Sequence, residues 1–304
     1  DTTSSFRVYG LRYGGTSTFF VNGNDYTTQI SNAVGWYTIT GETQITSIGI
    51  GNYNSGNDYT GLYAIEVNGK LLVDSNVTPP TVPSINSVVR ANPAAGFSVV
   101  SYTGNGSAAS VGHGLSATPS FYFIKNRSSA VRWTVYHTSI GPDGNMFLNE
   151  TVGVSTNSGV NGPTGPDSSV FHLKTSYGEY NTNGDNYIAY CFAPVEGYSA
   201  MGKYTGNGST DGPFVFAGFR PAFVLIKGNQ TISWHLFDNK REGYNVSNDA
   251  LLPNSNDSEF SNVYLDLLSN GFKIRQSTNG LNSSSVDYIY IAFAENPFRT
   301  ARAR

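Results

Sequence analysis

Apolar and polar residues alternate along most of this chain with a period of two. Gly35-Trp36-Tyr37-Thr38-Ile39 and Ile45-Thr46-Ser47-Ile48-Gly49-Ile50 carry the pattern plainly, and such alternation predicts half-buried strands. Phe19-Phe20-Val21-Asn22-Gly23 reads as a strand running into a turn. Leu62-Tyr63-Ala64-Ile65-Glu66-Val67 leads into Asn68-Gly69 and then Lys70-Leu71-Leu72-Val73. Asn-Gly suits a type I′ turn, in which both central residues need positive φ, so this stretch predicts a hairpin. Phe6-Arg7-Val8-Tyr9 already reads as a strand, so the chain is expected to begin mid-pattern, as a fragment or a processed product. Sustained helical periodicity is absent. Asp249 to Leu252 and Val263 to Leu268 are the places where a short helix could form.

The same pattern is written twice in the second part of the chain. Tyr102-Thr103-Gly104-Asn105-Gly106-Ser107 recurs as Tyr204-Thr205-Gly206-Asn207-Gly208-Ser209. Pro119 to Lys125 recurs as Pro221 to Lys227, Trp133 as Trp234, and Tyr187 to Ala193 as Tyr288 to Ala294. Matched blocks in one order, about one hundred residues apart, predict an internal duplication. Positions that differ between the copies are where a copy-specific task would sit. The expected organisation is a small β module over 1–77, a linker over 78–91 that includes the Pro-rich Thr78 to Pro83, a first repeat over 92–196 and a second over 197–304. The expected fold class is all-β, with antiparallel β-sandwich or jelly-roll-like modules. Two sandwich-like units and one larger sandwich with pseudo-symmetry both fit.

Composition narrows the partners. Charged residues make up 13% of the chain and the net charge is −3, which argues against nucleic acid, since that partner calls for a basic face. Plentiful Tyr and Phe argue against disorder. No run of about 20 apolar residues exists, so no membrane insertion is expected. The single Cys191 cannot form an internal disulfide and reads as a small buried hydrophobe. The closing Arg299 to Arg304 is basic and reads as a frayed tail or a docking peptide.

Candidate chemistry is sparse. There is no GxSxG elbow, P-loop or HExxH motif. His113, His137, His172 and His235 read as structural or surface polar residues. Asp185, Asp211, Asp238, Glu242, Asp257 and Glu259 form no tight carboxylate pair, and Glu196 and Glu295 sit at near-equivalent junctions, as strand-end features do. Asn/Asp-rich turns lack the EF-hand spacing. No catalytic residue, metal ligand set or cofactor is therefore expected. Trp133 and Trp234 read either as core plugs or as sugar platforms, and their retention in both copies favours the core. Two loops, Asn52 to Thr60 and Tyr177 to Tyr187, have the Tyr/Asn/Ser/Gly composition of adaptable binding loops. Tyr53, Asp58, Tyr59, Tyr177, Tyr180 and Asp185 are the candidate ligand-binding residues there; the alternative is that these are ordinary solvated hairpins.

Gly96 to Gly106, Val111-Gly112-His113-Gly114-Leu115 with Pro119, Tyr187 to Phe192, Gly212 to Pro221 and Ala292 to Phe298 together resemble a module common in structural proteins of marine tailed phages, cyanophages among them. The likeness spans roughly residues 92 to 304. The stretch Gly61 to Asp74 is similar to the closing strands of a β module that often precedes it. The resemblance carries no catalytic residues. It implies a virion component on the particle surface, such as a tail fibre or other appendage. On that footing the expectation is a non-enzymatic structural or adhesion protein whose partners are copies of itself, in a homo-oligomer that analogy makes a trimer, other virion proteins and a host surface glycan. A capsid decoration or head-fibre protein, a carbohydrate-binding module and a polysaccharide depolymerase are the alternatives.

Overall fold

Alternating sequence becomes strand almost throughout, and the strands pair antiparallel. The computed structural model describes residues 5–51, 59–68, 70–72, 83–156, 160, 164–241, 244–277 and 280–297. Among them helical turns are short 3₁₀ segments, such as Thr27–Gln29, Pro93–Ala95 and Thr138–Ile140. The two stretches open to a helix are corrected to sheet. Ser247–Ala250 and Phe260–Leu268 are paired strands. Leu265 and Leu267 point into a core, while Asp266 between them pairs with Arg275. Burying Leu265 and Leu267 on one side of the sheet settles the choice against a helix.

The chain divides into two compact units, Asp1–Pro79 and Pro80–Arg304. In the first, one sheet has the order Gly35–Thr38, Phe6–Tyr13, Tyr59–Val67, Lys70–Leu72, and the other has the order Asn24–Asp25, Thr18–Val21, Ile48–Gly51. Phe6, Val8, Phe19, Val21, Ile30 and Ile39 form its core. The expected hairpin is present: Ile65–Val67 pairs with Lys70–Leu72, and Asn68 has φ 52°.

The second unit stacks sheets in layers. A six-stranded sheet runs Met146–Phe147, Thr134–His137, Phe121–Asn126, Asn186–Phe192, Phe97–Thr103, Ser87–Asn92. Its edge strand Ser87–Asn92 corrects the expected linker over 78–91. Asn92 caps the Pro93–Ala95 turn and Gly96, at φ 63°, reverses the chain so that Ser87–Asn92 pairs with Phe97–Tyr102. Most of the Pro-rich stretch, and the basic C-terminal segment, lie outside the described residues. A four-stranded sheet runs Ser199–Thr205, Asp287–Ala294, Pro221–Gly228, His235–Asp238. Each of these two sheets is covered on its outer face by another. The pair Ala109–Gly112 and Val170–Leu173 covers the first; the sheet Phe214–Phe216, Gly271–Ile274, Phe260–Leu268, Ser247–Ala250 covers the second.

The inner faces of the two large sheets meet. Phe121, Val135 and Met146 from the first half pack with Leu225, Trp234, Ile289 and Ile291 from the second. Strand alternation therefore separates two cores rather than core from solvent. In Asp287–Ala294, Tyr288, Tyr290 and Ala292 face the outer core and Ile289 and Ile291 the inner one. That explains the nearly unbroken apolar sequence of the strand. The two halves are thus one body, not two sandwiches on a string. Polar contacts seal the seam. Trp234 Nε1 donates to the Phe147 carbonyl at 2.9 Å. His137 Nδ1 accepts from the Ser139 amide, so Nε2 carries the proton and donates to the Tyr290 carbonyl at 3.3 Å. The fully buried Lys227 amine donates to the carbonyls of Thr151, Gly228 and Gln230, and burial pulls its pKa down to about 8.

The twin Tyr-Thr-Gly-Asn-Gly-Ser blocks build the same corner. Tyr102 and Tyr204 donate to the carbonyls of Tyr180 and Leu281, each at 2.8 Å. Asn181 Oδ1 accepts from the Asn105 amide and Asn282 Oδ1 from the Asn207 amide. Tyr102 stacks on Tyr187 at 5.2 Å and Tyr204 on Tyr288 at 5.1 Å. Gly106 and Gly208 have φ of 70° and 69°, where glycine is favoured. A Cβ at Gly104 or Gly206 would lie 2.3 Å from the Thr182 carbonyl oxygen or 2.2 Å from that of Ser283. Cys191 is buried in the first half's outer core, and burial raises its thiol to about 12.

Candidate functional site

The first unit presents an aromatic face. On Phe6–Tyr13, Phe6 and Val8 enter the core and Arg7 and Tyr9 take the opposite side. Register sets Tyr9 opposite Trp36 on one neighbour and Ala64 on the other, and sets Tyr13 opposite Tyr59. Cross-strand neighbours on one face lie close enough for their rings to meet. The Tyr9 ring is 5.4 Å from Trp36 and 6.2 Å from Tyr63, while Tyr13 stacks on Tyr59 at 5.7 Å. Trp36, Tyr63, Tyr13 and Tyr59 are 41%, 61%, 47% and 45% exposed. The Arg7 guanidinium lies 4.9 Å over the Trp36 ring and pairs with Glu66 at 2.6 Å, which fixes the indole's orientation. The Glu66 carboxyl is held below its usual range by that hydrogen bond. The result is a stripe of planar rings on a rigid sheet, bordered by a neutralised charge pair.

Of the six candidate residues, Tyr59 belongs to this stripe. Tyr53 and Asp58 lie outside the described residues. The other three are brought together in the first half of the second unit, but as packing. Tyr180 is 1% exposed, its ring 5.4 Å from Tyr177, and burial raises its hydroxyl to about 12. Asp185 is half-buried and accepts from Asn126 Nδ2 at 2.8 Å, and the same amide donates to the Gly178 carbonyl. Glu179 is buried against Arg132 at 2.7 Å, and Arg132 also donates to the Tyr177 hydroxyl. The picture of an adaptable, solvent-facing loop over Tyr177 to Tyr187 is therefore corrected. The segment closes the end of a sandwich, where backbone polar groups need partners and Tyr rings fill the remaining volume.

Trp234 is fully buried and is the core plug; Trp133 is half-buried, its ring beside Phe123 at 5.9 Å with the Lys125 amine 5.6 Å from its centre. His113 and His137 serve the backbone: His113 Nδ1 accepts from the Leu115 amide and Nε2 contacts the Asp167 carbonyl. Glu295 holds Arg220 and Asn239 at a sheet end.

Residues 73–297 match a family described as a domain of unknown function, DUF7483. The chain belongs to this family. No curated protein and no solved structure matches the chain. The DUF7483 segment takes in both layered halves and leaves the aromatic stripe outside it. The stripe went unread in the sequence because Trp36, Tyr9, Tyr13, Tyr59 and Tyr63 come from three separated strands. The available signal was the alternation of Tyr in Phe6–Tyr13 and Tyr59–Val67.

Proposed function

We propose that this chain is a non-enzymatic structural and adhesive component of a virion appendage, and that it contacts glycan on a host surface through its N-terminal sheet. The observation that carries the adhesive part is the exposed stripe of Trp36, Tyr9 and Tyr63 with Tyr13 and Tyr59. Aromatic rings held flat on a rigid scaffold offer apolar area at low entropic cost to the C–H faces of sugar rings. Low charge and the layered β body suit a stiff spacer, and the sequence resemblance supplies the virion setting. Self-association belongs to the same reading.

The test is binding of the purified chain to bacterial surface polysaccharide, followed by sedimentation velocity and intrinsic fluorescence. Binding that shifts Trp emission and is lost in Trp36→Ala/Tyr63→Ala supports the reading. Unchanged binding in that variant removes the stripe from it. A chain that stays monomeric and binds no surface fraction overturns it.

A further inference from the structure

The second half of the layered unit holds a cleft. Its volume is about 290 Å³, and Ile232, Ser233, His235, Leu252, Phe260, Tyr264 and Gly280 line it. Gly280 keeps it open. A Cβ built there would lie 3.2 Å from both Cε1 and Nε2 of His235 and 3.8 Å from Gln276 Oε1. Asn181 and Asn282 perform the same hydrogen-bonding task in the two halves. Two residues before each stand Glu179 and Gly280. In the first half that place is occupied by Glu179, buried and paired with the half-exposed Arg132. Thr134 stands where the second half has His235, and Thr175 where it has Gln276.

The polar atoms around Gly280 define what the cleft takes. His235 and Gln276 are each 9% exposed. His235 Nδ1 faces the Ser233 carbonyl at 3.2 Å. A carbonyl only accepts, so Nδ1 carries the proton and Nε2 offers a lone pair toward the space above Gly280. Burial holds His235 to about 4, so the ring is neutral at pH 7. Gln276 Oε1 is buried with no hydrogen-bond partner, a state that costs free energy until a donor arrives. Two acceptors thus flank the place a Gly280 Cβ would take, His235 Nε2 on the cleft lining and Gln276 Oε1 beside it. An ammonium ligand is disfavoured because the Lys227 charge acts on the same imidazole. An anion is disfavoured because both of these atoms beside Gly280 are acceptors. Apart from Ser233, the remaining wall is aromatic and aliphatic: Ile232, Leu252, Phe260 and Tyr264.

We propose that this cleft is a binding site for a neutral hydroxylated ring the size of one hexose residue, whose adjacent hydroxyls donate to His235 Nε2 and Gln276 Oε1 while its C–H face lies on Tyr264 and Phe260. The site is independent of the N-terminal stripe, so either can fail alone.

Saturation-transfer NMR on the full chain tests it, with galactose, glucose and mannose as neutral probes, glucosamine as the cationic control and glucuronate as the anionic one. Binding of a neutral sugar is expected, weakened on the order of tenfold or more by Gly280→Leu, which fills the cleft, and less by Gln276→Leu. Gly280→Ala serves if the leucine variant does not fold, and it too should weaken binding. Trp36→Ala/Tyr63→Ala should leave this binding unchanged. No transfer to any neutral sugar, stronger transfer to a charged one, or equal binding by a folded Gly280 variant overturns the proposal.

Discussion

The two halves of the layered unit share a frame but use it differently, and Trp133 and Trp234 show how. Each Trp amide donates to an Asn side chain, Asn149 at 2.8 Å and Asn254 at 2.7 Å. Each follows a strand whose last residue but one is Lys, Lys125 or Lys227. Yet Trp234 is a fully buried plug bonded to Phe147 of the other half, and Lys227 is buried with it. Trp133 and Lys125 stay half-buried at the edge of the seam. Local bonding was kept in both halves, whereas side-chain environment was set by what the opposite half lays over each sheet. Similarity of sequence therefore predicts backbone connection better than it predicts burial.

The largest expected effect breaks that comparison directly. Trp234→Ala should cost about 3–5 kcal/mol, in the range for emptying a core Trp site. Trp133→Ala should cost less than half as much. Urea unfolding of both variants checks this, and equal shifts in midpoint would mean that the seam does not distinguish the two Trp residues.

The seam should also respond to acid. His137, which bonds across it, and His235 both have their pKa lowered to about 4 by burial. Unfolded His titrates near 6.5, so between about 6.5 and 4 the unfolded chain binds more protons than the folded one. The stability tied to neutral His is complete above about 6.5 and is lost as pH falls through about 4. At about 1.4 kcal/mol per pH unit, each group accounts for up to about 3 kcal/mol. Unfolding midpoints at pH 7, 5.5 and 4.5 should fall in that order, and His137→Gln should flatten the decline.

Smaller and symmetric effects are expected at the twin corners. Asn181→Ala and Asn282→Ala each remove the partner of a part-buried backbone amide and carbonyl, costing about 1 kcal/mol. The two losses should agree within about 0.5 kcal/mol. A large difference would show that the corners do separate work despite matching bond for bond.

The smallest effect is the control. Trp36→Ala and Tyr63→Ala lie on an exposed face, so thermal midpoints should move by no more than about 0.5 kcal/mol equivalent.

Much of this was legible beforehand. The Asn68-Gly69 hairpin, the paired glycine corners and the strand character of nearly every segment follow from alternation and turn chemistry. The candidate residues were less legible. Tyr177 and Tyr180 read as a binding loop because Tyr, Asn and Gly serve equally well in a paratope and in a plug at the end of a sandwich. Only the Tyr180 contact with Tyr102, from a strand far away in sequence, decides between the two. The stripe of Trp36, Tyr9 and Tyr63 and the cleft above Gly280 share that difficulty, since each assembles residues from separate strands.

By itself the sequence determined local geometry: which residues extend, where glycine must turn the chain, and that two stretches repeat one pattern. These follow from backbone sterics and from a period of two that each strand carries alone. The tertiary structure decided the layering. Alternation marks two faces of a strand without saying what covers either. Where both faces are apolar, as in Asp287–Ala294, only the meeting of the two large sheets assigns Ile289 to one core and Tyr288 to another. The same long-range burial put Trp234 inside and left Trp36 on the surface.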